Sequence, residues 1–147
     1  MYSINDYNAL VKACDDIYRA AARRYDLSES MLWLLYLCRV SEEPLTQAEA
    51  VAQLYLPKQT VNSALKKLEL QGMVRLEKEG QLRKRIHLTP AGEALCTRTA
   101  DHIIAAERTA FSSLSGEEQA QLLKLTAHFN EALNRALEEE DHAQCSE

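Results

Sequence analysis

Glycine and proline are scarce in this sequence. The 147 residues include 4 Gly and 3 Pro, so few positions favour a helix break or a tight turn. Aromatic residues make up only 6% of the chain, whereas 46% of the residues are apolar and 27% are charged. These proportions exclude wholesale disorder, and they predict one mainly α-helical globular domain or a small domain extended by long helices.

Long apolar runs are absent as well. No stretch reaches the roughly 18 apolar residues that indicate a membrane span. The first residues, MYSINDYNAL, lack the basic segment and apolar core of a secretion signal. Even the most apolar stretch, MLWLLYLCRV at 31–40, is too short to cross a bilayer. We therefore expect a cytoplasmic protein that does not contact a membrane.

Cysteine occurs in no metal-binding or disulfide pattern. The four cysteines are widely spaced and form no CxxC pair, at positions Cys14, Cys38, Cys96 and Cys145. Cys14 and Cys38 fall on apolar helical positions, where a free thiol is usually a small core residue. The alternative is a redox-sensing thiol, which requires a cationic neighbour to lower the thiol pKa.

Patterns typical of enzymes are missing too. The histidines are scattered, no Ser-His-Asp or paired-carboxylate spacing stands out, and there is no glycine-rich phosphate loop. We predict no enzymatic activity, no metal site and no cofactor.

The most informative stretch is LYLPKQTVNSALKKLELQG, residues 54–72. Pro57 suits a first helical turn, and Gly72 suits a left-handed helix end. Val61, Leu65 and Leu68 repeat at helical spacing, which predicts a buried stripe. The opposite face carries side chains that can reach phosphates or base edges, namely Lys58, Gln59, Asn62, Ser63 and Lys66. This pattern predicts the second helix of a helix-turn-helix; alone, it also fits an amphipathic helix with a solvated face.

A two-stranded hairpin is predicted directly after this helix. Met73 to Lys78 alternates apolar and polar residues, as does 83–88, and Gly80 lies between them at a position that accepts positive φ. Upstream, Thr46 and Glu49 form a capping box that opens a helix over Gln47 to Leu54. Two helices, a short turn and a hairpin are together the arrangement called a winged helix.

Charge is unevenly distributed along the chain. The formal net charge is -5, yet the segment Pro57 to Pro90 contains eight basic and three acidic residues. A basic segment in an acidic frame is typical of a DNA-binding module on a dimerising scaffold. Chance clustering on a solvated surface is the alternative.

The remaining sequence predicts further amphipathic helices. One covers Asn5 to Tyr25, one begins at Thr89–Pro90 and runs to about Leu114, and the last follows a capping box of Ser115 and Glu118. Their apolar surface exceeds what one small winged-helix core can cover, which predicts a homodimer; helices packed only on each other in a monomer are the alternative. We expect dimerisation segments at 1–29 and 91–147, and a DNA-binding domain at 30–90.

These segments resemble the MarR family of bacterial transcription regulators over nearly the whole chain. The resemblance rests on LPKQTVNSALKKLELQGMVRLEKE followed by RIHLTPAGEAL. It implies a homodimeric winged-helix protein that binds a palindromic operator, probing double-stranded DNA with its recognition helix and wing. It also implies that a small molecule, bound between the DNA-binding part and the dimerisation part, often releases the protein from DNA. Trp33, Tyr36 and Tyr7 are candidate ligand contacts, and core packing is the simpler alternative for the first two.

By this resemblance, Gln59, Thr60, Asn62, Ser63 and Lys66 match recognition-helix positions. The wing departs from the family pattern, because Gly80, Gln81 and Leu82 stand where an Asp-x-Arg is usual, in a wing about one residue shorter. Arg83 is the candidate for a minor-groove or phosphate contact, and Arg85 either joins it or pairs with Glu77 across the hairpin. The predicted DNA contacts are Lys58, Gln59, Thr60, Asn62, Ser63, Lys66, Lys67, Arg83 and Arg85.

The predicted function is a sequence-specific transcriptional regulator, a repressor acting as a homodimer. Two alternatives stay open: a winged helix that binds protein without specific DNA binding, and a thiol-based redox-sensing regulator.

Overall fold

The computed structural model describes residues 1–81 and 83–144, and for residues 141–144 it describes the backbone alone. Within that part the chain forms α1 (Ile4–Arg24), α2 (Glu29–Val40), α3 (Gln47–Leu54), α4 (Lys58–Leu70), β1 (Val74–Glu79), β2 (Arg83–Leu88), α5 (Pro90–Arg98), α6 (Ala100–Ser112) and α7 (Gly116–Gln144). The predicted fold class, mainly α with a small hairpin, is confirmed. None of the described helices is long and apolar enough to cross a membrane. The chain divides into two compact units, Met1–Ala105 and Ala106–Glu147.

Local capping signals set the helix starts. The Ser28 side chain accepts a hydrogen bond from the Met31 amide at the start of α2. Thr46 and Glu49 form the predicted capping box, and α3 covers the predicted Gln47–Leu54. At the start of α5, Thr89 is the N-cap and Pro90 occupies the first helical turn, also as predicted. Each cap satisfies amide groups that lack a partner within the helix.

One hydrophobic core holds α2, α4 and the hairpin together in the first unit. Leu34 and Leu35 of α2 are fully buried, against the predicted α4 stripe of Val61, Leu65 and Leu68. The hairpin contributes Val74 and Ile86, each 2% exposed. Burial of this stripe explains the stability of α4, since short helices depend on tertiary packing. The core therefore fixes which face of α4 is presented to solvent.

The hairpin is antiparallel, with Val74 opposite Leu88 and Glu79 opposite Arg83. Gly80 has φ +68, as expected for its turn, and Gly72 has φ +73 just after α4. The link between α2 and α3 contacts the hairpin at its end, where Thr46 forms an isolated bridge with Arg85. The Ile86 amide donates to the Leu45 carbonyl over 2.8 Å, and Leu45 is buried.

The helix predicted from Pro90 to about Leu114 is in fact two helices. The break lies at Thr99, whose φ of -132 and ψ of -85 are not helical. Thr99 is 2% exposed, and its hydroxyl donates to the Leu95 carbonyl over 2.6 Å. A buried threonine that bonds back to the preceding turn bends or ends a helix, which explains the break.

The second unit contains the end of α6 and the long helix α7. Ser115 and Glu118 form the predicted capping box, in which the Glu118 amide donates to Ser115 Oγ over 3.3 Å. No described side chain of α7 is buried within the single chain. The predicted apolar stripe is therefore largely solvent-accessible, with 46–64% exposure at Leu122, Leu125, Leu133 and Leu137.

Candidate nucleic-acid interface

Helix α4 presents a polar face opposite its buried stripe. Six of the predicted contact residues are exposed on it, namely Lys58, Gln59, Thr60, Ser63, Lys66 and Lys67. Among the described residues, no carboxylate lies within ion-pair distance of the three lysines of this face. Their charges are thus available to phosphates. Pro57, expected inside the first turn, instead immediately precedes the helix, where its carbonyl accepts from the Thr60 amide over 2.9 Å.

Asn62 is held by the preceding helix. Its side chain is half-buried, and its amide oxygen accepts a hydrogen bond from Gln47 Nε2 of α3. This bond fixes the orientation of the Asn62 amide before any DNA arrives. A fixed amide loses little conformational entropy if it contacts a base.

The turn between α3 and α4 contains an exposed aromatic residue. Tyr55 has φ 51 in the left-handed region and is 93% exposed. Leu54 and Leu56 lie on either side of it and pack against the core. A bulky residue with positive φ is a backbone outlier, and nothing in the sequence pattern indicated it.

The second strand of the wing, β2, carries two exposed cations and one that is bound within the chain. Arg83 and Lys84 are exposed. Arg85 is only 25% exposed, and its guanidinium donates to Glu79 and, over 2.6 Å, to the Pro44 carbonyl. Leu82 of the wing tip lies outside the described residues.

The predicted pairing of Arg85 with Glu77 is wrong. The two residues are opposite each other in the register, but Glu77 instead pairs with Arg75 over 2.5 Å and with His87 over 3.3 Å. The Arg75 hydrogen bond holds the pKa of Glu77 below its usual range. Glu77 therefore contacts Arg75 on its own strand and His87 on β2, and not Arg85, the residue directly opposite.

Surface grooves border the exposed cations of α4 and β2. One, of about 330 Å³, lies between the start of α2 and the face of α4, and is lined by Ser28, Ser30, Gln59, Thr60, Ser63, Ala64 and Lys67. The other, of about 530 Å³, lies between the start of α3 and the wing, and is lined by Thr46, Gln47, Ala48, Glu49, Arg83 and Lys84. Ser28 and Ser30 were not predicted as site residues. They line the first groove together with Lys67, and the Ser28 hydroxyl also caps α2.

The candidate ligand residues are placed differently from one another. Trp33 and Tyr36 are half-buried with ring centroids 5.4 Å apart. Tyr18 of α1, which was not predicted, contacts Trp33 with the ring centroids 4.8 Å apart and the two rings tilted by 55°. Tyr7 lies in the first turn of α1, well before Tyr18, and is 40% exposed. The structure thus brings two of the three candidates together with a third ring from α1.

The thiols sit in different environments. Burial raises the pKa of Cys38 to about 12 and that of Cys96 to about 11, which keeps both thiols protonated and poorly nucleophilic. Cys14 is exposed on α1. Cys145 lies outside the described residues. Among the described residues, no group of three or more His, Cys, Asp or Glu side chains is placed to hold a metal ion.

Comparison with known proteins places this geometry in context. Residues 25–85 match the model of the MarR family. A search of curated proteins gave no significant match.

Solved structures agree with that match. The MarR family regulator NMB1585 from Neisseria meningitidis superposes with a TM-score of 0.80 at 19% identity, over 95% of this chain and 99% of that one. The MepR–DNA complex of S. aureus gives 0.69 at 22% identity, over 90% and 98% of the two chains. BpsR of Bordetella bronchiseptica, whose DNA binding is regulated by 6-hydroxynicotinic acid, gives 0.64 at 14% identity, over 85% and 98%. The resemblance to the MarR family is confirmed: residues 25–85 match the family's model, and the chain has the fold of solved MarR family regulators.

Proposed function

We propose that the chain is a sequence-specific, DNA-binding transcriptional repressor that acts as a homodimer on a palindromic operator. One observation carries the proposal: α4 buries one face completely and presents on the other a row of exposed hydroxyls and lysines, together with the exposed amide of Gln59. Amide and hydroxyl groups can read base edges in the major groove, and lysines can bind the phosphates on either side. Asn62 and Arg83 complete the set of candidate contacts, whereas Arg85, the last of the predicted contacts, is bound within the chain.

Charge supports the same proposal. The eight basic residues of Pro57 to Pro90 lie on α4 and the hairpin, although the whole chain has a net charge of -5. A basic surface attracts DNA through phosphate neutralisation, whereas the acidic remainder keeps the rest of the protein away from the duplex.

Exposed apolar side chains support dimerisation. Helix α1 has one buried residue, Ala22, and exposes Ile4, Tyr7, Leu10, Val11 and Ile17. Helix α7 exposes leucines at spacings of three and four. Helices of this length keep such faces in water only when a partner covers them. We assign 1–29 and 91–147 to dimerisation and 30–90 to DNA binding, in a protein of the cytoplasm.

We further propose that a small molecule lowers the affinity for the operator. Trp33 and Tyr36, at the contact between α1 and α2, are the candidate ligand contacts, together with Tyr7. The regulation of BpsR by 6-hydroxynicotinic acid supports ligand control in a protein of this fold. A ligand acts in this way only if it binds better to a dimer whose recognition helices are spaced differently.

Selection from random duplex DNA at near-physiological salt tests the proposal. The expected result is a palindrome whose half-sites lie about 10 base pairs apart, because two recognition helices in a symmetric dimer reach successive major grooves. Weak binding without any preferred sequence, lost as salt is raised, would leave only the nonspecific phosphate interaction and would contradict specific recognition. In that case the alternative function, a winged helix that binds a protein partner, would be tested next.

A further inference from the structure

Arg85 lies in the middle of β2 and is bound by groups from three other places in the chain. Its Nε donates to Glu79 of β1, and one terminal nitrogen donates to the Pro44 carbonyl over 2.6 Å. Glu49 of α3 lies 3.8 Å from the same nitrogen. The guanidinium thus joins both strands of the wing to the link between α2 and α3.

The backbone around Arg85 reinforces this junction. Arg85 pairs with Thr46 in an isolated bridge, and the next amide along, that of Ile86, donates to Leu45 over 2.8 Å. Glu49 also closes the capping box of α3 by accepting from the Thr46 amide over 2.8 Å. The angle of the wing relative to α3 is therefore fixed by one side chain and two backbone contacts.

Arg83, two residues earlier on the same strand, is in a different situation. It is exposed, and no carboxylate among the described residues forms an ion pair with it. With Lys84 it lines the groove at the start of α3. Residues i and i+2 of a strand share one face, so holding Arg85 in place also fixes the position from which Arg83 extends.

We infer that Arg85 is a positioning residue: it sets the wing so that Arg83 and Lys84 meet the DNA, and it makes no DNA contact itself. The inference rests on the proposed function. For Arg85 to bind a phosphate it would have to leave two carboxylates and a carbonyl, and those carboxylates would repel the phosphate. An arginine with its donors satisfied in this fixed geometry is better suited to holding two elements together than to capturing an anion.

The variant Glu79→Gln separates positioning from charge. Glu79 is 59% exposed, so the substitution leaves folding intact. If only charge mattered, removing a carboxylate beside the DNA and freeing Arg85 would tighten binding. We expect the opposite, a loss of about threefold to fivefold in affinity for the selected duplex, the size of effect that one partly exposed ion pair supports. Tighter binding by Glu79→Gln would overturn the inference.

Salt dependence gives a second readout. Arg83→Ala should lower the slope of log affinity against log salt by about 1, because one phosphate contact is lost. Arg85→Ala should weaken binding while leaving the slope unchanged, and should add little further loss in an Arg83→Ala background. A slope that falls by about 1 in Arg85→Ala would assign Arg85 to a phosphate and overturn the inference.

A measurement without DNA isolates the structural part. In Glu79→Gln and Arg85→Ala, the Ile86 amide should exchange with solvent several-fold faster, because the edge that it bonds to is no longer fixed. Unchanged exchange would overturn the inference on its own. Failure of the proposed function would look different: the wild-type protein would not distinguish the selected duplex from a shuffled one, whatever the behaviour of Ile86.

Discussion

Arg39 of α2 binds acidic residues on both sides of the break between α5 and α6. It contacts Asp101 through two hydrogen bonds of 2.7 and 2.8 Å, and it also donates to Glu93 of α5. One guanidinium therefore holds α5 and α6 to α2 on either side of the nonhelical Thr99. Two parallel hydrogen bonds to one carboxylate give this contact geometric specificity as well as stability.

This contact predicts an acid-dependent effect of Asp101→Asn. The Arg39 hydrogen bond lowers the pKa of Asp101 below its ordinary value. The ion pair therefore stabilises the fold above the unfolded-state pKa of about 3.9 and is lost as pH falls through the lower folded-state pKa. We expect Asp101→Asn to reduce the free energy of unfolding by about 1 kcal/mol at pH 7. The deficit should shrink as pH falls below about 3.9 in urea titrations.

The same substitution in an Arg39→Gln background provides the control. Asp101→Asn should have a much smaller pH-dependent effect there, since Arg39, the main cause of the lowered pKa, is absent. A deficit of constant size down to pH 3 in the wild-type background would contradict the assignment.

Residues of α4 should divide into base readers and phosphate binders. Gln59→Ala should weaken binding to the selected duplex by about 1–3 kcal/mol while leaving binding to a shuffled duplex unchanged. Lys67→Ala should weaken both equally and lower the salt slope by about 1. Fluorescence anisotropy on both duplexes at several salt concentrations distinguishes the two patterns. Equal losses on both duplexes for Gln59→Ala would contradict base reading.

At the residue scale, the sequence predicts what adjacent residues determine. The Thr46–Glu49 box depends on residues three apart, and the structure has it as predicted. The partners of Arg85 could not be predicted in this way, because Pro44 and Glu49 are distant in sequence and meet it only once the wing folds onto α3. Strand register alone indicates Glu77, which the structure places in a different pair.

At the element scale, α5 approaches the start of the hairpin unusually closely. A Cβ atom on Gly92 would lie 1.9 Å from the Met73 carbonyl oxygen. That oxygen also accepts from the Thr89 amide over 3.0 Å, so it cannot easily move away. Only glycine fits at this contact, which sets how α5 leaves the wing.

Gly92→Ala should therefore destabilise the fold by about 2–4 kcal/mol, as overpacking at a buried contact does. Gly116→Ala is the matched control: no atom lies within 4 Å of its added Cβ, and alanine at a compatible helical position stabilises by about 0.4–1 kcal/mol. Thermal unfolding of both variants measures the contrast. A similar Tm for the two would show that the backbone near Met73 adapts freely.

Helices and strands could be predicted where pattern and caps agree. The bounds of α3 and β2 match the prediction, and those of α1 and β1 differ by one residue at each end. The break at Thr99 could not be predicted, because the apolar pattern continues through it and threonine occurs in many uninterrupted helices. Its effect depends on burial and on the bond to Leu95, which only the packed structure establishes.

At the scale of the whole molecule, the exposed stripe on α7 predicts a specific effect on assembly. Leu133→Glu places a charge in the stripe and should convert the dimer to monomer at micromolar concentration, because a buried unpaired charge is costly. Ala127→Glu adds the same charge on the opposite side of the helix and should leave the dimer intact. Sedimentation velocity measures both. A monomeric wild-type protein would contradict dimerisation through these helices.

The winged helix could be predicted from sequence because its signals are local and independent: a cap, a stripe, a glycine turn and an alternation. The site could be predicted only as a set of residue types. Which cations are free depends on contacts between distant elements, as the difference between Arg83 and Arg85 shows.

The central claim, that the face of α4 reads sequence, is tested most directly by a specificity ratio. The affinities of the wild-type protein for its selected duplex and for a shuffled duplex of equal length should be measured at about 150 mM salt. Specific recognition predicts a ratio of about 10³ or more, with the ratio collapsing in Gln59→Ala. A wild-type ratio near one would contradict the claim, and would mean that the basic face of α4 and the wing bind only the phosphate backbone.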